Sequence, residues 1–262
     1  KREDCKRRHG IYPAGSSTGS GEYQFMMEVT YLGHSGFLLE MEHIYCLFDY
    51  YKGGFPKWDP DKKMVVFVSH AHYDHFGKEI FRLREVFPEI CYVLSSDIDP
   101  TEYSHVGFSP CSDIISMGPN EEKEIFGIKV RTLRSNDQGV AYLLRCGDRT
   151  IYHAGDLNWW HWEEESEMFN KMIRRTYQSE INKLQREKID IAFVPVDPRL
   201  GEQYCWGIDC FMKRTDTKHV FPMHFWGNYD VFDRLMLEKC TGTYKDRIMR
   251  IEREGQTFLI KE

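Results

Sequence analysis

No stretch of this 262-residue chain is apolar for long enough to cross a bilayer: the longest uninterrupted apolar runs, such as 65–68 and 191–196, fall far short of the roughly 20 residues a membrane helix needs. A membrane span is therefore not expected. Cationic excess is missing too. With 35 Lys+Arg against 41 Asp+Glu, the formal net charge is -6. General binding to a phosphate backbone rests on clustered Lys and Arg, so nucleic acid is set aside as a partner. The chain has no C-x-x-C pair. Its eight cysteines stand apart, at 5, 46, 91, 111, 146, 205, 210 and 240, in a chain large enough to fold without staples. They read as reduced thiols and point to the cytoplasm, with Cys46 and Cys91 acting as small core hydrophobes inside apolar strands.

The first 25 residues lack the apolar segment of a secretory signal. They open on a basic cluster, KREDCKRR, and pass through AGSSTGSG, a flexible-linker composition. Residues 1–25 read as a flexible leader appended to the domain, which leaves 26–262 as a single folded unit. A composition of 41% hydrophobic and 29% charged residues supports one globular core of that size.

From residue 27 the pattern is strand, turn, strand: EVTYL, FLLEM and IYCLFD are rich in β-branched and aromatic residues. MVVFV at 64–68 is a continuous apolar run, as expected of a strand covered on both faces. A helix is expected over 78–87, ended by Pro88. IKVRTL, VAYLLRC and TIYHA read as consecutive strands. The longest helix is placed where Phe169, Ile173, Tyr177, Ile181 and Leu184 recur every three to four residues. IDIAFVPV and HVFPM are further buried strands, VFDRLMLEKC a helix, and RIMRIE with TFLI closes the chain. This order suggests helices outside two packed sheets.

The chemistry concentrates where MVVFV ends. His70, His72, Asp74 and His75 place four potential ligands in six residues at the mouth of a buried strand. A cluster rich in histidine and carboxylate but free of cysteine suits Zn, Mn or Fe(II) in an open site better than a closed structural zinc. Asp156 follows an apolar strand in HAGD and reads as a turn residue or a further ligand; His224, between Met223 and Phe225, reads as a core histidine or a further ligand.

In these segments the sequence resembles the metallo-β-lactamase superfamily, most closely its ascorbate-phosphate-lactonase-like branch. VTYLGHSGFLLE is similar to that branch's opening strands, SHAHYDH to its metal loop, IYHAGDLN to its strand ending in Gly-Asp, and FPMHFWGN to its final histidine segment. The matches run in order from 27 to about 228.

The resemblance implies an α+β fold, a four-layer αββα sandwich in one domain. It implies one ion held by His70 and His72, a second by Asp74, His75 and His224, and Asp156 bridging both. The cofactor is then one or two divalent ions, Zn first, with Mn or Fe as alternatives. The activity it implies is metal-dependent hydrolysis of a small-molecule substrate at an ester, lactone, amide or phosphoester bond. Asp74 would orient the attacking water or carry its proton. A phosphodiesterase or phospholipase-D-like activity, oxidative chemistry on iron, and a non-catalytic metal- or ligand-binding member are the alternatives.

The chain departs from the family at one ligand. A histidine usually comes from the loop before VAYLL, where this chain reads Arg134-Ser135-Asn136-Asp137-Gln138. Asp137 is the first substitute and Asn136 a weaker one. His105 is a remote candidate. His34 and His153 read as structural or supporting residues. Asn158, Trp159 and Trp226, with Trp160, Trp162 and Phe225, follow ligand segments directly and read either as substrate-binding walls or as ordinary core.

Overall fold

The computed structural model describes residues 26–101 and 113–261. The leader 1–25 and His105 lie outside the described residues.

Strands β1 (Met27–Gly33), β2 (Gly36–Glu40) and β3 (Ile44–Phe48) form the expected antiparallel meander. β4 (Lys63–Val68), β5 (Ile90–Ser95) and β6 (Ile114–Met117) extend it with parallel pairings. A second sheet begins as an antiparallel run of β7 (Glu122–Ile125), β8 (Ile128–Arg134), β9 (Val140–Cys146) and β10 (Arg149–His153). It continues in parallel through β11 (Lys188–Pro195) and β12 (Asp216–Met223). β13 (Thr257–Ile260) returns to pair antiparallel with β1, giving a seven-stranded sheet, β13-β1-β2-β3-β4-β5-β6, facing a six-stranded one, β12-β11-β10-β9-β8-β7.

Each parallel step needs a crossover, and most of the helices supply them. α1 (Glu167–Asn182) links β10 to β11, and α2 (Trp206–Arg214) links β11 to β12. α3 (Asp230–Leu237) follows β12. The β4–β5 crossover is a helix where one was expected over 78–87, wound as a 3-10 helix over Lys78–Glu85. Ile80 and Leu83 on its apolar side are buried three residues apart, a spacing that 3-10 and α winding share. RIMRIE forms no strand; it runs from a short 3-10 turn into a single bridge between Val220 and Ile248.

Alternation within the buried strands assigns the layers. In β4, Val65 and Phe67 face the second sheet, among Phe48, Tyr142, Ile151 and Phe193, and α1 and α2 cover that sheet's far side. Met64, Val66 and Val68 point the other way, under the 3-10 helix with Ile80, Phe81 and Phe87. The continuous apolar runs are thus strands with two buried faces, and the architecture is the expected αββα sandwich. No helix among the described residues is long and apolar enough to cross a membrane.

Candidate metal centre

The carboxyl ends of β3, β4, β10, β11 and β12 converge at one rim of the sandwich, the position where strand ends leave a crevice. His70, His72, Asp74 and His75 come off β4, Asp156 off β10 and His224 off β12. The β1–β2 turn adds His34 and the β8–β9 turn adds Asp137. Three overlapping groups result: His34 with Asp74, His75 and His224; His70 with His75 and Asp156; and His72 with Asp137 and Asp156. Within each, the donor atoms lie within 4.8 Å of one another.

His75 joins the first group to the second, and Asp156 joins the second to the third. Asp156 Oδ2 lies 3.4 Å from His70 Nε2, while Oδ1 lies 3.3 Å from His75 Nε2 and 3.6 Å from His224 Nε2. The two oxygens therefore face different histidines, the disposition a bridging carboxylate needs. Ligand bonds of roughly 2.0–2.1 Å in a tetrahedron place donors about 3.3 Å apart, close to these separations.

The buried Nε2 atoms of His34, His70 and His75 and Oδ1 of Asp156 have no hydrogen-bond partner among the described residues. Leaving such groups unmatched costs roughly 1–3 kcal/mol each. A divalent cation would satisfy them together, so the residues present fit the metal that the fold implies.

The surroundings fix the rings. Asp49, at the end of β3, accepts from Ser69 N at 2.7 Å and Ser69 Oγ at 2.6 Å, and lies 2.8 Å from His75 Nδ1. Ser69 Oγ is also 2.8 Å from His70 Nδ1. Asp197, at the end of β11, lies 3.0 Å from His224 Nδ1 and accepts from Trp226 Nε1 at 3.3 Å. Carboxylates on the outer ring nitrogens turn the inner Nε2 atoms toward the centre. His153 belongs to the support: its Nε2 is 2.9 Å from Ser35 O, its Nδ1 accepts from Gly155 N, and its ring stacks on Phe48.

The backbone is strained here. His34, Asp49, His224 and Trp226 all take positive φ, between 40° and 64°.

Charge follows from burial and neighbours. Burial alone would lower the His70 pKa, but the Asp156 carboxylate 3.4 Å away overrides this and pushes it up to about 9. Asp156, although fully buried, is held well below the usual carboxylate range by His75, His224 and His70. Burial raises Asp74, yet the His34 ring 3.3 Å away and the charge of His75 bring it down to about 2.

A cavity of about 480 Å³ opens over the centre, walled by His72, Asp74, Asp137, Trp160, Trp162 and Trp226. Of the residues read as substrate contacts, Trp226 reaches this cavity. Asn158 is buried, its side chain against Gly207 of α2. Trp159 faces a separate hollow with Arg174 and Trp206. Asn136 lines the cavity but ties its loop to Asn158, donating to the main-chain oxygen at 2.8 Å and accepting from the main-chain nitrogen at 3.2 Å.

Sequence reasoning did not single out Asp49 or Asp197, and it read His34 as a structural or supporting residue, whereas the structure sets it among the possible donors. The signals were small: a histidine flanked by glycine and serine in a hairpin turn, and an aspartate just past each of two apolar strands.

Comparison with known proteins agrees with this geometry. The model of the β-lactamase superfamily domain matches residues 28–171. A UPF0173 metal-dependent hydrolase of Carboxydothermus hydrogenoformans is 32% identical over 215 residues, covering 76% of this chain and 84% of that protein. Among solved structures, the metallo hydrolase Igni18 of Ignicoccus hospitalis superposes with a TM-score of 0.61 at 16% identity, covering 90% of this chain and 98% of that one. CmlA of Streptomyces venezuelae, a diiron β-hydroxylase, superposes with a TM-score of 0.57 at 14% identity, covering 91% of this chain and 54% of its own. These last two establish likeness of fold alone. The chain belongs to the metallo-β-lactamase superfamily, in the family of UPF0173 metal-dependent hydrolases.

Proposed function

We propose that the chain binds two divalent ions, Zn first, and hydrolyses an ester, lactone, amide or phosphoester bond of a small molecule in the cytoplasm. The single observation that carries this is Asp156, whose two oxygens face separate histidines beneath an open cavity. On one side His70, His72 and Asp137 join it; Asp137 takes the place of the family's missing histidine, beside His72. On the other side Asp74, His75 and His224 join it, with His34 as an added donor.

Bound divalent ions supply Lewis acidity, lowering the pKa of water and polarising a carbonyl or phosphoryl oxygen. The chain's own residues do the rest. Asp74 lines the cavity, and its carboxylate is kept ionised by His34, so it can take a proton from the attacking water and pass it to the leaving group. Trp160, Trp162 and Trp226 exclude water around the substrate body.

Elemental mass spectrometry on protein purified without chelator should find near two ions per chain, reduced by Asp137→Ala and by His224→Ala. A panel of 4-nitrophenyl esters, lactones and bis(4-nitrophenyl) phosphate should then show turnover that Asp156→Ala reduces at least about a hundredfold. Full metal content with no hydrolysis anywhere in the panel would defeat the hydrolase reading.

One observation favours a second reading. The donors are imidazoles and carboxylates without thiolate, a set that iron also accepts, and the similar fold of CmlA carries a diiron hydroxylase. Iron in the purified protein together with oxygen consumption would select it.

A further inference from the structure

We infer that Arg199 is the anion-binding group of the cavity, so that the substrate is a small molecule carrying a carboxylate or phosphate beside an apolar or aromatic body. The word substrate rests on the hydrolase reading; the binding site does not.

Arg199 is the second residue of the 3-10 turn Pro198–Gln203, which starts directly after β11 with Asp197 as its cap. Three features hold it in one place. Its main-chain nitrogen donates to Asp197 Oδ1 at 2.9 Å, and its Nε and Nη2 donate to the same carboxylate at 3.0 and 2.5 Å. The guanidinium carbon lies 4.7 Å from the Trp226 ring centre and 5.7 Å from that of Trp162. A long side chain pinned by a carboxylate and two indoles has already lost most of its rotamer freedom, so little more is lost when a ligand binds.

What remains unused is the outer edge. Nη1 donates to no partner among the described residues, although the side chain lines the cavity and is 50% exposed. A guanidinium that only neutralised Asp197 would not require a place between two tryptophans at the cavity wall. The fork geometry of the free edge matches a carboxylate or phosphate.

The charge of the cavity agrees. Asp74, Asp137 and Asp156 line it, while Arg199 and Asp197 cancel each other. Two divalent ions would turn the three negative charges into one net positive charge, which favours an anionic ligand over a neutral or cationic one. Trp160, Trp162, Phe169 and Ile173 supply the apolar wall for the rest of the molecule.

The test is calorimetric binding of benzoate and phenylphosphonate, with benzamide as the neutral twin, to the metal-loaded protein and to its Arg199→Gln and Arg199→Lys variants. Metal content and melting temperature are measured on each. Loss of one charge-assisted contact should weaken both anions about tenfold to a hundredfold in Arg199→Gln, with benzamide and metal content unchanged. Arg199→Lys, which keeps the charge without the fork, should recover part of the loss.

Equal anion affinity in wild type and Arg199→Gln would place the anions elsewhere and overturn the inference. Loss of metal or of benzamide together with the anions would assign Arg199 to supporting Asp197 and overturn it as well. Anion discrimination that depends on Arg199 in a protein without hydrolytic activity would uphold the inference while the hydrolase reading fails.

Discussion

Asp49 shows how much of the centre lies one bond away from the proposed metal ligands. Its carboxylate is fully buried, which alone would raise its pKa, yet His153 and His75 hold it below the usual range. It accepts from both donors of Ser69 and orients His75 through Nδ1. Asn at this position keeps the shape but removes the charge and turns one acceptor into a donor that faces Ser69 or His75. Asp49→Asn should therefore weaken metal affinity about tenfold to a hundredfold, measured by competition with a chromophoric chelator. Unchanged affinity would show that His75 is oriented by packing alone. The same logic separates the residues the motif revealed from those it did not. His70, His72, Asp74 and His75 announce themselves by density, whereas His34, Asp49 and Asp197 are single polar residues at strand ends, where turns ordinarily place such residues.

At the scale of elements, the β8–β9 turn is held tightly against its neighbour. Gly139 takes φ +67, and a Cβ there would lie 1.9 Å from Ser69 O and 2.7 Å from His70 Cβ. Glycine is what allows this turn to press on the backbone that presents His70, where Val140 N donates to Ser69 O. Gly155, from the strand on the other side, also presses on Ser69: a Cβ there would lie 2.7 Å from Ser69 Cβ. The turn that carries Asp137 is thus clamped to the loop that carries His72. Gly139→Ala should lower the melting temperature and reduce bound metal together. A variant that kept full metal content at an unchanged melting temperature would refute the clamp. The apolar strands and α1 were legible as elements because their periods of two and three to four residues are local properties of the sequence. The helix after β4 was legible as an element too, but its 3-10 winding was not, because buried positions three residues apart suit either winding.

Across the whole molecule, the centre joins the two sheets. His34 and the β4 loop ligands come from the first sheet, and Asp137, Asp156 and His224 from the second. A cation bound by both should resist their separation. At a free metal concentration of about 100 times Kd, linkage contributes roughly 2.7 kcal/mol, a rise in Tm of about 5–10 °C for a chain of this size. Differential scanning calorimetry before and after chelation measures it; an unchanged Tm would show that the folded chain holds no ion at that concentration.

The amino-acid sequence by itself determined the strands, the long helix, the layered class and a metal-ligating loop, since burial patterns and motif density are encoded between near neighbours. Tertiary structure alone decided that His34 stands with Asp74, that Asp137 meets His72, and that Asn158 and Trp159 turn toward α2 while Arg199 and Trp226 turn into the cavity. Those neighbours lie tens to hundreds of residues apart, and only the pairing and crossovers of two sheets bring their strand ends to one rim.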